Sequence, residues 1–221
     1  MSKVLVAVPT YENIYPDTFK SIHALDPGEH EVEFDFFRGY DVANARNQIA
    51  QATIDRGFDF VLMVDNDEIL PEDAIINLME DEDSEPTPGM AVGYCLSRPG
   101  GAANTSGRTT AFKFGGKNYV VEDAYTGQEL QNLRSRESYK VQIRGSGLGC
   151  ALIHRSVFER MSCPWFKWVL YNNKTQLSED LFFCEKFREI AVPIFVDTRV
   201  ACGHVMRYVA WPDRQEVTTN A

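Results

Sequence analysis

The chain lacks the features that mark several common protein classes. Its five cysteines are odd in number and widely spaced, and no C-x-x-C pair occurs, which argues against a sequence-encoded zinc site or a disulfide framework. No run approaches the ~20 apolar residues needed to cross a bilayer, and the apolar run after Met1 is too short for a signal peptide. We therefore expect a cytoplasmic protein with reduced thiols and no transmembrane segment.

Positive charge is also scarce. The sequence has 22 Lys and Arg against 32 Asp and Glu, a formal net charge of -10. A duplex-binding protein usually shows a basic patch, and none is visible, so we do not expect a nucleic-acid partner. An acidic protein still binds an anionic ligand where a metal ion or a few arginines lie at the site.

What is present is the composition of a globular protein. The 221 residues are 44% hydrophobic and 24% charged, enough for one large domain with a sizeable core. No linker or internal repeat divides the chain. We expect a single domain over residues 1–221, in which residues 1–98 form a nucleotide-binding half. Residues 99–221 would complete the sheet and supply a second substrate site.

Strand and helix patterns alternate in the first half. Short runs rich in β-branched and aromatic residues predict strands at 3–9, 31–37 and 58–65. Periodic segments between them predict helices at 15–25, 41–57 (Asp41 as N-cap) and 71–81. This order predicts an α/β fold with a mostly parallel, twisted sheet flanked by helices and a Rossmann-like first half. Further strands are expected at 90–98 and 192–205, and a helix after Ser178.

An acidic cluster follows the third predicted strand. Asp65-Asn66-Asp67-Glu68 comes directly after an apolar run, and ligands of open parallel sheets bind beyond the carboxyl ends of strands. Asp65 and Asp67 are spaced so that both can approach one Mg²⁺ or Mn²⁺ ion, which shares its other positions with water and substrate phosphate. A solvated acidic turn that also caps the next helix is the simpler alternative. We expect the Asp67 carboxylate itself to be exposed.

Two other patterns in the first half fit a nucleotide site. The turn Pro9-Thr10-Tyr11-Glu12 offers an aromatic face and polar groups to a nucleoside at the end of the first strand. Arg46, early in the second predicted helix, carries a planar fork that suits a diphosphate. The alternative is a surface arginine paired with one of many acids.

The second half holds the remaining candidates. Glu179 and Asp180 at a helix start, and the late His204, are residue types expected of a general base and an additional metal ligand. Gly147, in the segment GSGLG, would let the backbone approach a donor sugar, and a tight turn between strands is the alternative. Trp165 would stack on an acceptor sugar, with core packing as the alternative.

Taken in order, these segments resemble the GT-A glycosyltransferases, in particular the family 2 enzymes, over nearly the whole chain. The resemblance is carried by VAVPTYE, ARN, FVLMVDNDEILPEDAI, GSGLGCALIHRSVFERM, PWF, SEDLFFCEKFRE and VDTRVACGHV. It implies a metal-dependent enzyme that moves a sugar from a nucleoside diphosphate sugar to a carbohydrate or other hydroxyl acceptor. Mn²⁺ or Mg²⁺ is the implied cofactor, and a UDP-sugar is the expected donor.

The resemblance also implies roles for individual residues. The family's DxD motif, which binds the metal and the diphosphate, would be Asp65-Asn66-Asp67, and His204 would complete the metal site. Asp180 is the implied general base, with Glu179 next in order. The nucleoside would lie in the turn formed by Pro9, Thr10, Tyr11 and Glu12.

Departures from the family pattern leave the stereochemical outcome open. The R/Q-x-x-R-W motif expected after the acidic pair is replaced by a segment with Cys184, Lys186, Phe187 and Arg188, and the CGHVMR ending also resembles retaining enzymes. Two other functional classes stay open as well. A nucleotidyltransferase would carry a Gly-rich, Lys- or Arg-bearing loop that PTYENIYP lacks, and a non-catalytic sugar-nucleotide or glycan-binding protein would not need both acidic motifs.

Overall fold

The computed structural model describes residues 1–11, 13–85, 88–97, 107–115, 119, 121–171 and 174–206, together with the short strands 208–209 and 218–219. Its α-helices are α1 Pro16–His23, α2 Val42–Asp55, α3 Ala74–Asp83, α4 Gly127–Arg134, α5 Arg155–Arg160 and α6 Glu179–Ile190. Within the part of the chain described, none of these helices combines the length and hydrophobicity required to traverse a bilayer.

Local capping sets where the helices begin. The predicted N-cap of α2 is confirmed, because Asp41 Oδ1 accepts a hydrogen bond from the backbone N of Asn44 at 2.7 Å. Ser178 is the N-cap of α6, also as predicted. The third helix begins at Ala74 with Asp73 as its N-cap, so Pro71 precedes the helix and does not lie in its first turn.

A short 3-10 helix spans Val121–Asp123, and the remaining elements of the described residues are strands. The first eight are β1 Lys3–Thr10, β2 Glu31–Arg38, β3 Phe60–Val64, β4 Glu68–Ile69, β5 Met90–Tyr94, β6 Arg108–Lys113, β7 Ala124–Thr126 and β8 Lys140–Ser146. The others are β9 Cys150–His154, β10 Val169–Tyr171, β11 Lys174–Leu177, β12 Ile194–Ala201, β13 Gly203–His204, β14 Tyr208–Val209 and β15 Thr218–Thr219.

One nine-stranded sheet organises the molecule, in the order β2-β1-β3-β9-β5-β12-β8-β6-β7. β1 pairs in parallel with both β2 and β3, and β5 pairs in parallel with β12. β9 runs antiparallel between β3 and β5, and β8 runs antiparallel to β12. Most strands therefore point one way, with antiparallel strands inserted among them, which confirms the predicted α/β sheet.

Helices cover both faces of this sheet. In β1, Leu5 and Ala7 pack in the layer that contains α2, α5 and α6, whereas Val4, Val6 and Val8 pack with α1 and α3. The alternation follows from the period of two along a strand. Because strands of both sequence halves share this sheet, the chain forms a single α/β domain. The separate roles assigned to residues 1–98 and 99–221 stay a prediction.

Candidate functional site

A cleft of about 590 Å³ lies at the carboxyl ends of β1 and β3. Most of the predicted site residues line it, from both halves of the chain: Pro9, Thr10, Tyr11, Arg46, Asp65, Asn66, Asp67, Gly147, Glu179, Asp180 and His204. Glu12, the last residue of the predicted nucleoside turn, lies outside the described residues. The cleft thus has the position expected for a ligand site in an open α/β sheet.

Hydrogen bonds hold the acidic turn on two sides. Asp65 N donates to Gly149 O at 3.1 Å, which ties the turn to the segment before β9. Asn66 Nδ2 donates to Asn13 O at 2.7 Å, and Tyr15 N donates to Asn66 O at 3.0 Å. The turn after β1 and the acidic turn after β3 therefore form one packed unit.

A short ladder brings His204 to the acidic turn. β13 pairs antiparallel with β4, so that His204 lies opposite Glu68, and Val205 N donates to Asp67 O at 2.8 Å. His204 Nε2 lies 3.6 Å from Asp67 Oδ2, while Nδ1 lies 2.9 Å from Leu96 O. The carbonyl oxygen of Leu96 only accepts hydrogen bonds, so a neutral His204 ring bonded to it carries its proton on Nδ1. The lone pair of Nε2 then faces Asp67.

The carboxylates beside His204 are buried. Asp67 is 6% exposed, which corrects the expectation of an exposed turn carboxylate. The interaction of Asp67 with the His204 ring raises the pKa of His204, and burial of the ring acts in the opposite direction. Burial raises the pKa of Glu68 to about 7, although the Cys95 thiol and His204 act to lower it. Acidic groups concentrated in this way repel one another, and a bound cation would relieve that repulsion.

Arg46 links two of the predicted acidic groups. It is 2% exposed, and its Nη2 donates to Asp65 Oδ1 at 2.7 Å while its Nη1 donates to Glu179 Oε1. Burial lowers the pKa of Arg46, but the charges of Asp65 and Glu179 outweigh it, so the pKa is raised overall. Both terminal nitrogens of the fork bind carboxylates of the protein, so Arg46 joins the acidic turn to the start of α6. The contact from Arg46 to a diphosphate stays a prediction.

The two acids at the start of α6 have different surroundings. Glu179 is buried, and burial raises its pKa. Asp180 is half-buried, and its Oδ1 accepts hydrogen bonds from the Ser178 hydroxyl and, at 2.7 Å, from Leu181 N. A Cβ added at Gly147 would lie 3.6 Å from Asp180 Oδ2. The Asp180 carboxylate therefore borders the glycine turn inside the cleft.

Trp165 lies away from the cleft. Its side chain is in the core, its indole Nε1 donates to Phe158 O at 2.9 Å, and its ring packs edge-on against Phe158. An indole whose faces are packed and whose N–H is satisfied is not presented to a sugar. The position of Trp165 corrects its prediction as an acceptor contact.

Several cleft residues were not predicted from the sequence. Glu68 belongs to the acidic cluster, but its local sequence indicates no role for it, and Tyr40 lies at the cleft with 80% of its surface exposed. Cys95, directly after β5, and Thr110, in β6, also line the cleft. No local pattern marks Cys95, because its neighbours in the cleft are distant in sequence.

Gly39, just before α2, is required by the close approach of the backbone. We expect Gly39→Ala to lower the free energy of unfolding by about 1–3 kcal/mol, because a Cβ would lie 2.5 Å from Ala45 N and 2.6 Å from Asp41 O. Urea denaturation measures the loss. Gly115→Ala is the control, since a Cβ there meets nothing within 4 Å, and equal losses in the two variants would contradict the steric explanation.

Comparisons with known proteins agree on the architecture. No protein-family model matches the sequence, and no match was found among curated proteins. The structure is similar to the crystal structure of the viral protein A197 from STIV, with a TM-score of 0.61 and 17% identity over 100% of this chain and 95% of that one. It is also similar to GalNAc-T7 crystallised with UDP, GalNAc and Mn²⁺, with a TM-score of 0.59 and 12% identity.

The second likeness covers 93% of this chain and 44% of GalNAc-T7, so the chain spans less than half of that protein. GalNAc-T7 is a glycosyltransferase of the GT-A fold. Identities this low show the fold and not the activity. The chain therefore has a GT-A-like α/β fold.

Proposed function

We propose that the chain is a metal-dependent glycosyltransferase that moves a sugar from a nucleoside diphosphate sugar to an acceptor hydroxyl. The observation that carries the proposal is that one cleft brings together the turn after β1, the acidic pair after β3, His204 and Asp180. A UDP-sugar is the donor we expect, and the similarity to a protein crystallised with UDP and Mn²⁺ supports that choice.

Asp67 and His204 fit a divalent cation such as Mn²⁺ or Mg²⁺. A carboxylate oxygen and an imidazole nitrogen 3.6 Å apart are suitable donors, and the bond from Nδ1 to Leu96 O leaves Nε2 facing Asp67. Asp65 supplies a second carboxylate, oriented by Arg46. When bound, the ion would neutralise the charge that develops on the departing diphosphate.

Asp180 is the group we assign to proton transfer. Its Oδ1 is held by two donors and its Oδ2 borders Gly147. It takes the proton of the acceptor hydroxyl as the oxygen attacks the anomeric carbon and the bond to the diphosphate breaks. Glu179 is less suited, because Arg46 already occupies its Oε1.

Donor binding should depend on the cation. We expect UDP to bind at least about tenfold more weakly in EDTA than in Mn²⁺, the scale of loss when a metal site is disturbed, because the acidic turn otherwise repels the phosphates. Calorimetry measures both affinities. Asp67→Asn should bind UDP in Mn²⁺ as weakly as the unsubstituted protein binds it in EDTA.

The control for this measurement is Asp55→Asn, which changes a carboxylate at the end of α2 that bonds Gln51 on the surface. It should bind UDP like the unsubstituted protein. Since Asp67 is buried, circular dichroism must show that Asp67→Asn is folded. Equal UDP affinity with and without metal in the unsubstituted protein would contradict the assignment of a divalent cation to Asp67 and His204.

A further inference from the structure

A second cluster of metal-ligating atoms lies at the acidic turn. A carboxylate oxygen of Glu68, the sulfur of Cys95 and a ring nitrogen of His204 all lie within 4.8 Å of one another. Cys95 Sγ is 2.8 Å from Glu68 Oε1 and 4.0 Å from His204 Nδ1. Glu68 lies in β4, Cys95 directly follows β5 and His204 lies in β13, so the cluster exists only in the folded chain.

Glu68 is buried, but its carboxylate is not fully hydrogen-bonded. It is 4% exposed, and its Oε2 has no hydrogen-bond partner among the residues that the structure describes. Such an unpaired buried oxygen is costly. A Cβ at Gly149 would lie 2.8 Å from Glu68 Oε1 and 2.7 Å from its Cγ, so glycine is what allows the carboxylate to occupy this position. A bound cation would satisfy it.

We propose that Glu68, Cys95 and His204 Nδ1 form a site for a thiophilic divalent cation of the Zn²⁺ class. Thiolate, imidazole and carboxylate are the ligands that zinc takes, and water would complete a four-coordinate shell. Hard cations such as Mg²⁺ prefer oxygen ligands. The donor set therefore separates this site from the one at Asp67.

Binding exchanges a proton for the cation. Cys95 Sγ donates to Glu68 Oε1 at 2.8 Å, so the sulfur carries its proton while no cation is present. When the cation binds, the S–H bond is replaced by a bond from sulfur to metal, and the proton leaves to solvent. No oxidant or reductant takes part.

The two cations compete for His204, a consequence that rests on the proposed function. A neutral imidazole carries one proton. With the proton on Nδ1, donated to Leu96 O, Nε2 serves the cation at Asp67. With the proton on Nε2, facing Asp67, the hydrogen bond from Nδ1 to Leu96 O is broken, and the Nδ1 lone pair serves the cation at Cys95. A thiophilic cation would therefore withdraw His204 from the proposed catalytic ion and inhibit transfer.

Co²⁺ is the probe for the thiophilic site, because a thiolate ligand gives it a charge-transfer band in the near ultraviolet. The reduced protein should carry Cys163→Ser, which removes an exposed thiol. We expect the band in this parent and its displacement by Zn²⁺. Adding Cys95→Ser should abolish the band and weaken Zn²⁺ binding by about tenfold or more.

Cys202→Ser is the matched control, since Cys202 is a nearby thiol outside the cluster, and the band should persist. A folded parent with no band would overturn the proposal. So would a band that survives Cys95→Ser or disappears with Cys202→Ser. Circular dichroism establishes that each variant is folded.

Mn²⁺ binding, followed by electron paramagnetic resonance, separates this site from the proposed function. We expect Zn²⁺ to release bound Mn²⁺ from the parent and to do so less effectively with Cys95→Ser. Simultaneous binding of both cations would overturn the competition for His204. A Co²⁺ band in a protein that binds no Mn²⁺ would support the thiophilic site and contradict the proposed catalytic metal. Mn²⁺ binding without a Co²⁺ band would support the catalytic metal and contradict the thiophilic site.

Discussion

Arg46→Met is expected to lower the free energy of unfolding by about 3–5 kcal/mol, the scale for removing one partner of a buried ion pair. The methionine fills similar space but leaves Glu179, which is 4% exposed, as an unpaired buried acid. Asp65 suffers less, because 34% of its side chain is exposed to solvent. Urea denaturation measures the loss, which is a large fraction of the stability of a typical domain.

Arg56→Met is the matched control for this substitution. Arg56 also bonds two carboxylates, Glu33 and Asp35, each at 2.7 Å, but its side chain is 37% exposed. Exposed pairs contribute at most about 1 kcal/mol, so this variant should remain nearly as stable as the unsubstituted protein. Similar losses in the two variants would contradict the assignment of the effect to burial.

A second substitution tests where the cost of Arg46→Met arises. Glu179→Gln in the Arg46→Met background should restore part of the stability, because it removes the orphaned charge. If Arg46 instead binds the donor diphosphate, Arg46→Met should fold with nearly normal stability and lose UDP affinity. That outcome would support the diphosphate contact predicted from the sequence.

Asp180→Asn is expected to lower kcat by about 100-fold or more, within the range for loss of a general base. The amide has the same shape and keeps an oxygen that accepts from Ser178 and Leu181, but it cannot take a proton. UDP affinity should change little, since Asp67 and His204 carry the proposed cation. Steady-state kinetics and UDP calorimetry on the same preparation measure both quantities.

The purely structural alternative for Asp180 predicts a different pattern. If Asp180 only supports the start of α6, its replacement costs about 1 kcal/mol or less of stability and turnover is preserved. Glu185→Gln, on the same helix but paired with Arg144, should leave kcat unchanged. Wild-type turnover by Asp180→Asn would make Glu179 the next candidate base, and the anomeric configuration of the product, read by NMR, decides between inversion and retention.

Local sequence patterns predict much of the fold. The predicted strand at 3–9 and helix at 41–57 correspond to β1 and α2, because β-branched runs and an Asp N-cap act within a few residues. The helix after β3 was misplaced at its start, since Pro71 is compatible with either side of a helix boundary. The antiparallel insertion of β9 between β3 and β5 depends on pairing across the chain, which periodicity does not record.

The candidate site was predictable in residue type but not in side-chain contacts. The resemblance to a family predicts Asp67 and His204 as metal ligands, but only the pairing of β4 with β13 places one beside the other. The partners of Arg46 and the burial of Trp165 follow from packing between distant segments. For the same reason the cluster around Cys95 has no counterpart in local sequence.

Incubation with a panel of nucleotide sugars, with and without Mn²⁺, is the decisive test of the proposed glycosyl transfer. At least one donor, in the presence of an acceptor hydroxyl, should release nucleoside diphosphate in Mn²⁺ and not in EDTA, and Asp67→Asn should abolish the release. Release of pyrophosphate from a nucleoside triphosphate and a sugar phosphate would point to a nucleotidyltransferase. Tight binding of a nucleotide sugar without turnover of any donor would contradict the proposed transfer and identify a binding protein.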